Sequence, residues 1–236
     1  MTVFVLLHGM FHGAWCWSRV TPRLTAAGHQ VHTPIQTGVG ERAAELHPGI
    51  TLTTFVDDLT AYLETHDLHD TVLVGHSFGG HAITGAADRM PSRIRHLVYL
   101  DAVFPVSGTA PLDASLPEVA AERRASAATT GNLSLPPAPP ANFGVPDGPD
   151  ADWVRQHLTP HPFGTLTTAI TFQGPPGNGL PATYIACTDP LYAPLAHART
   201  AARAHLGWAW RELPTGHDAM VTAPAALADL LLEIAP

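Results

Sequence analysis

The chain has 236 residues, of which 45% are hydrophobic, and a formal net charge of −8. That size suits one α/β domain with a small insertion, and its apolar content can fill a sheet core between two helical layers. The negative balance argues against nucleic acid and anionic membranes as partners, and the absence of any Lys excludes Schiff-base and pyridoxal chemistry.

Taken in order, the chain alternates strands with helices, the pattern of a mainly parallel, doubly covered sheet. A β-branched apolar run, Val3-Phe4-Val5-Leu6-Leu7, enters a loop beginning His8-Gly9. A helix is predicted over 17–27, a strand over 29–33, a loop over 38–49 and a helix over 52–66. In that last helix Phe55, Leu59, Tyr62 and Leu63 recur at helical spacing, and Thr53 or Thr54 is the candidate cap. A strand over 72–74 leads into a helix over 80–87, and another strand ends at Leu100-Asp101. Further on come a strand over 183–187, a helix over 191–206 with Arg199 and Arg203 exposed, a strand over 208–213 and a helix over 224–234.

The most informative stretch is Val72-Leu73-Val74-Gly75-His76-Ser77-Phe78-Gly79-Gly80. Gly-x-Ser-x-Gly between a buried strand and a helix is the context of a nucleophile elbow. The sharp turn needs small neighbours, which Gly75 and Gly79 supply, and the helix N-terminus favours developing negative charge. A Gly-rich turn with an idle serine is the plain alternative. A nucleophilic Ser77 needs a base, an acid to orient that base, and backbone donors for the oxyanion. His217 lies in Pro214-Thr215-Gly216-His217-Asp218, between the last strand and the last helix, where such a base belongs. The loop after the first strand is the expected source of one oxyanion donor, the N–H of Met10, converging on that of Phe78. Gly9 lets that backbone pass close to the substrate.

Three motifs together, His8-Gly9 with His12-Gly13-Ala14-Trp15-x-Trp17, Gly75-His76-Ser77-x-Gly79-Gly80 and Gly216-His217-Asp218, resemble the α/β-hydrolase branch of plant methyl esterases and hydroxynitrile lyases, with many small bacterial esterases. The resemblance spans nearly the whole chain and weakens between about 106 and 180. It implies an α/β-hydrolase fold with helices on both sheet faces and an inserted cap. The lyases resemble one another in a Thr after the first motif His and a Lys after the catalytic His. Gly9 and Asp218 stand at those places, so the likeness falls on the esterase side, with like-charge repulsion from Asp218 expected against a cyanide anion.

The orienting acid departs from the pattern. Relatives typically end the strand before the catalytic His with Cys-Thr-x-Asp, whereas this chain reads Cys187-Thr188-Asp189-Pro190. Asp189 is one residue early, and the Pro after it restricts its backbone. It is the preferred acid here. The alternative is Asp101, at the end of the strand after the elbow helix, a placement similar to that of haloalkane dehalogenases.

Residues 1–103 and 181–236 are assigned to the hydrolase core and 104–180 to the cap. The cap stretch holds most of the prolines, yet helical pieces over 116–128 and 150–158 and aromatics Phe143, Trp153, Phe163 and Phe172 argue against a disordered linker. Phe11, His12, Trp153 and Phe163 are the candidate substrate contacts beside Gly9, with Trp15, Trp17 and Phe78 near the pocket floor. No cofactor is implied, and no metal, since His8 and His12 lack a helix to align them. The reading is a serine esterase acting on a small apolar ester, thioester or lactone. A non-hydrolytic lyase or cyclase on the same scaffold, or a silent ligand receptor, are the alternatives. Two separated cysteines and a first strand with no leader before it lead to an expected cytoplasmic location, and abundant Ala, Pro and Arg point to a GC-rich bacterial genome.

Overall fold

The computed structural model describes residues 1–103, 105–205 and 207–234. Four strands come first: β1 (Val3–Leu7), β2 (Gln30–His32), β3 (Thr71–His76) and β4 (Ile94–Leu100). A short antiparallel pair follows, β5 (Ser134–Leu135) with β6 (His161–Pro162), and then β7 (Ala182–Cys187) and β8 (Ala209–Leu213). The main sheet has the order β2-β1-β3-β4-β7-β8 and every neighbouring pair in it is parallel. Parallel strands need crossovers that cover both sheet faces, so central strands read as unbroken apolar runs. β3 and β7 are buried at every residue, which is why both stood out as continuous runs.

The strand order also sets where a site can form. From β1 the chain crosses to β2 on one side, and from β3 it crosses to β4 on the other. The two crossovers diverge beyond the adjacent ends of β1 and β3, and the crevice left there is where open α/β sheets bind ligands. The loop carrying Met10 and the turn carrying Ser77 both leave the sheet at this point.

The helical layers follow the expected order with shifted ends. The helix expected over 17–27 is a 3-10 turn, Ala14–Trp17, and then α1 (Thr21–Ala26), with Pro22 in its first turn where a proline is tolerated. α2 (Leu52–Thr65) buries Phe55, Val56, Leu59 and Leu63. Its cap is Thr51 rather than Thr53 or Thr54. The Thr51 side chain accepts from the Thr54 N–H, while the Thr54 hydroxyl accepts from the Thr51 N–H. α3 (Gly79–Arg89) starts directly after the elbow.

Between β4 and β7 lie α4 (Pro117–Ala128), α5 (Pro149–His157) and α6 (Gly164–Thr167), the first two close to the helical pieces read from the sequence. Phe104, the first residue assigned to the cap, lies outside the described residues. This segment is tied to the body by backbone bonds: Thr159 donates to the Phe11 carbonyl at 2.9 Å and Asp218 donates to the Phe143 carbonyl at 3.0 Å. The helix expected over 191–206 is a 3-10 turn, Ala193–Leu195, followed by α7 (Ala196–Ala204), and Leu206 lies outside the described residues. Arg199 is buried on α7 and not exposed, whereas Arg203 is exposed as expected. α8 (Ala219–Thr222) and α9 (Pro224–Ile234) close the chain. Among the described residues no helix is long and apolar enough to cross a membrane.

The paired Thr51–Thr54 cap satisfies donors that α2 otherwise leaves open. Thr51→Ala is expected to lower unfolding free energy by about 1 kcal/mol in urea titrations, with no change in m-value.

Candidate active site

Ser77 sits in a left-handed backbone conformation, φ 53°, between β3 and α3. That strain persists because the surroundings leave no room to relax. A Cβ on Gly75 would come within 2.9 Å of the Gly79 backbone, and one on Gly79 within 2.8 Å of the His8 carbonyl oxygen. The Ser77 N–H donates to Leu100 O at 3.1 Å and the Ser77 carbonyl accepts from Val103 N–H at 3.0 Å, so the turn is stitched to the end of β4.

His217 meets Ser77 from the loop after β8, with its Nε2 2.9 Å from Ser77 Oγ. Its Nδ1 is 2.7 Å from Asp101 Oδ2. With Asp101 ionised, Nδ1–H donates to the carboxylate and Nε2 is left to accept from the serine hydroxyl. The acid on His217 is therefore Asp101 and not Asp189. Asp101 directly follows β4, at φ 40°, and is fully buried. Asp189 lies beyond the end of β7 with its backbone N–H held by Thr215 O at 3.0 Å and its side chain exposed.

A buried carboxylate needs more than one partner. The Arg199 guanidinium supplies them, donating from Nε to Asp101 Oδ1 at 3.0 Å and from Nη2 to both oxygens at 2.8 and 3.0 Å. Arg199 Nη1 also holds the carbonyl of Tyr192 at 2.8 Å, and the Tyr192 ring stacks on His217 at 4.1 Å. The sequence reading missed both residues. The signal for Arg199 was its place between Ala198 and Ala202, the other buried positions of α7.

Ser77 and His217 open into a cavity of about 740 Å³, a size suited to a small organic substrate. Met10, Phe11, His12 and Phe78 line it, as does Phe143 from the segment between β4 and β7. Among the described residues the N–H groups of Met10 and Phe78 donate to no protein acceptor. Gly9 backs the cavity rather than lining it: a Cβ there would lie 2.8 Å from Ser77 Cβ. The structure removes Trp153 and Phe163 from the candidate contacts. Trp153 packs edge-on against Trp15 at 5.1 Å beneath Arg19, and Phe163 is buried in the core. Trp15 and Trp17 also lie off the cavity, and Asp218 turns away from it to pair with His12 Nε2 at 3.0 Å. Cys16 and Cys187 are buried free thiols.

Residues 4–230 match the Alpha/beta hydrolase family. The chain is 36% identical over 242 residues to a carbendazim hydrolyzing esterase of Nocardioides sp., covering 99% of this chain and all of that protein. It is 27% identical over 259 residues to methylesterase 7 of Arabidopsis thaliana, covering 98% and 95%. Among solved structures, an extracellular alpha/beta-hydrolase from a Paenibacillus species superposes with a TM-score of 0.86 at 24% identity, covering 99% of this chain and 98% of that one.

Buried imidazoles crowd the surroundings of the site, most of them kept neutral. Burial lowers His8 to about 4 and His81 to about 3, and holds His76 and His161 well below the usual histidine range. His8 is built for the neutral form, since Nδ1–H donates to Gly9 O at 2.9 Å while Nε2 accepts from Gln36 N–H at 3.3 Å. His12 runs the other way: burial lowers it, but the charge and hydrogen bond of Asp218 more than offset that. A histidine depressed in the folded state lends stability above its unfolded pKa, near 6.5, and loses it as pH falls towards the folded value. His12 has the opposite sign, with stability present below about 6.5 and lost as pH rises through its folded pKa. The depressed group is the larger, so acid should destabilise. Urea unfolding is expected to show a loss of at least about 2 kcal/mol between about pH 7 and about pH 5, where carboxylates stay largely ionised. A flat profile over that interval would contradict the buried neutral histidines.

Proposed function

Since the chain belongs to the Alpha/beta hydrolase family and is a carboxylic ester hydrolase, we propose that it cleaves a small ester, thioester or lactone through an acyl-enzyme on Ser77. The observation that carries this reading is the hydrogen-bonded chain from Ser77 Oγ through His217 to Asp101, opening into one cavity. Ser77 Oγ attacks the carbonyl carbon as its proton passes to His217 Nε2. The Asp101 carboxylate stabilises the imidazolium so formed without itself taking the proton. Negative charge developing on the carbonyl oxygen meets the N–H groups of Met10 and Phe78, with the start of α3 adding its dipole.

Collapse of the tetrahedral intermediate breaks the bond to the leaving alkoxide, which takes the proton from His217 and departs as alcohol. Water then gives a proton to His217 Nε2 and its oxygen to the acyl carbon, and as the bond from the acyl carbon to Ser77 Oγ breaks, His217 returns that proton to Oγ, releasing the acid and restoring Ser77. The cavity wall is mainly apolar, with Phe11, Phe78, Phe143 and Leu135 among its residues, which favours a hydrocarbon part beside the ester. The methylesterase among its relatives supports a small alcohol as the leaving group.

Ser77→Ala is expected to lower kcat/KM for a short p-nitrophenyl ester by about 10⁴- to 10⁶-fold. Asp101→Asn should lower it by roughly 10³- to 10⁴-fold at neutral pH, because the wrong imidazole tautomer is then favoured. Asp189→Asn should change it by less than about threefold, as expected for an exposed side chain. Circular dichroism on each variant separates lost chemistry from lost fold. Full activity in Ser77→Ala would end the acyl-enzyme reading.

A further inference from the structure

All the cationic side chains are arginines, and nearly all are accounted for. Every arginine except Arg123 either pairs with an Asp or Glu or lies exposed to solvent. Arg123 is half-buried on α4 and lines the cavity that holds Ser77 and His217. Among the described residues no carboxylate comes within 4.0 Å of its guanidinium, and its one hydrogen bond is a long one, 3.5 Å, from Nη1 to Ser115 Oγ. Glu122 also lines the cavity but is exposed and forms no ion pair with it.

A largely desolvated guanidinium with most of its donors unused is costly in an apolar wall unless something completes it. Burial lowers the Arg123 pKa, and Tyr192 and Glu122 oppose that only in part. The charge also acts on other groups of the cavity wall. Tyr192, stacked on His217, feels it, and so does His81, whose Nδ1 is buried on the same cavity wall without a partner among the described residues. Apolar Leu116 and Leu191, 54% and 61% exposed, form part of the cavity lining. The chamber thus joins a nucleophile, an apolar stretch and a fixed cation with five planar donors matched to a carboxylate.

We propose that Arg123 receives a carboxylate of the substrate, so that the preferred substrates are acidic esters: an ester bond at Ser77 and a free carboxylate across an apolar spacer. The proposal rests on the acyl-enzyme reading and adds a substrate class to it. Arg123 is then a specificity residue and takes no part in bond making.

The test compares each acidic ester with its neutral terminal amide, for the wild type, Arg123→Met and Arg123→Lys. One arm carries the carboxylate on the acyl side, as the monoethyl esters of butanedioate, hexanedioate and octanedioate. The other carries it on the alcohol side, as 4-acetoxybutanoate. In at least one arm the wild type should prefer the acid over the amide by about ten- to a hundredfold in kcat/KM, mainly through KM. Arg123→Met should erase that ratio and Arg123→Lys should keep part of it. A wild-type ratio near one in both arms, or a ratio unchanged in Arg123→Met, would overturn the proposal. Calorimetric titration of Ser77→Ala with monoethyl hexanedioate and its amide reads the anion site without turnover. Acid-selective binding there, with no ester hydrolysed by the wild type, would keep Arg123's role and reject the acyl-enzyme. Hydrolysis of neutral esters with no selectivity would do the reverse.

Discussion

The Asp101 carboxylate is the interaction on which the rest of the site depends. It is fully buried, and three groups compensate it: His217 Nδ1, the Arg199 fork and, at 3.3 Å, the N–H of Cys187. Removing one partner of such a cluster leaves an uncompensated charge in a dry interior, a loss of about 3–5 kcal/mol. The same contacts fix the histidine tautomer, so stability and chemistry are coupled through one side chain. Arg199 extends the network to the Tyr192 carbonyl and hence to the ring stacked on His217.

Geometry of this kind comes from the sheet. Strands β1, β3 and β4 lie side by side, and their ends deliver the Met10 loop, Ser77 and Asp101 to one crevice. Three residues there, Phe11, Ser77 and Asp101, have positive φ, at 67°, 53° and 40°. None is a glycine, so each is held in a sparsely populated conformation by its surroundings. Gly9 makes the approach of the first loop possible, because any side chain would strike Ser77. The close approach brings the loop carrying Met10 against the turn carrying Ser77 and Phe78, so that all three line one cavity.

Much of this was legible in the chain because it follows from local rules. Buried parallel strands announce themselves as apolar runs, and Gly-x-Ser-x-Gly between strand and helix carries its own steric logic. His217 could be placed from its position between the last strand and the last helix. What could not be read depends on contacts between distant segments. Asp101 and Asp189 both follow strand ends, and only the lateral packing of β4 beside β7 shows which one faces His217. Arg199 looked like an exposed helix residue because nothing in α7 itself announces a buried carboxylate nearly a hundred positions earlier. Trp153 and Phe163 were aromatics in the right segment, yet they serve packing rather than the cavity. The cap is Thr51, two or three residues before Thr53 and Thr54, a small slip at a helix end, where boundaries are least legible in sequence.

The resemblance to methyl esterases placed the acid where this chain has Pro190, and the compensation is the carboxylate at the end of β4. The central claim is that Asp101 holds the His217 ring, and proton NMR tests it most directly. An imidazole Nδ1–H donated to a buried carboxylate gives a resonance far downfield of the amide envelope. The wild type and Asp189→Asn should both show that signal, and Asp101→Asn should lose it. A signal that survives in Asp101→Asn and disappears in Asp189→Asn would contradict the account.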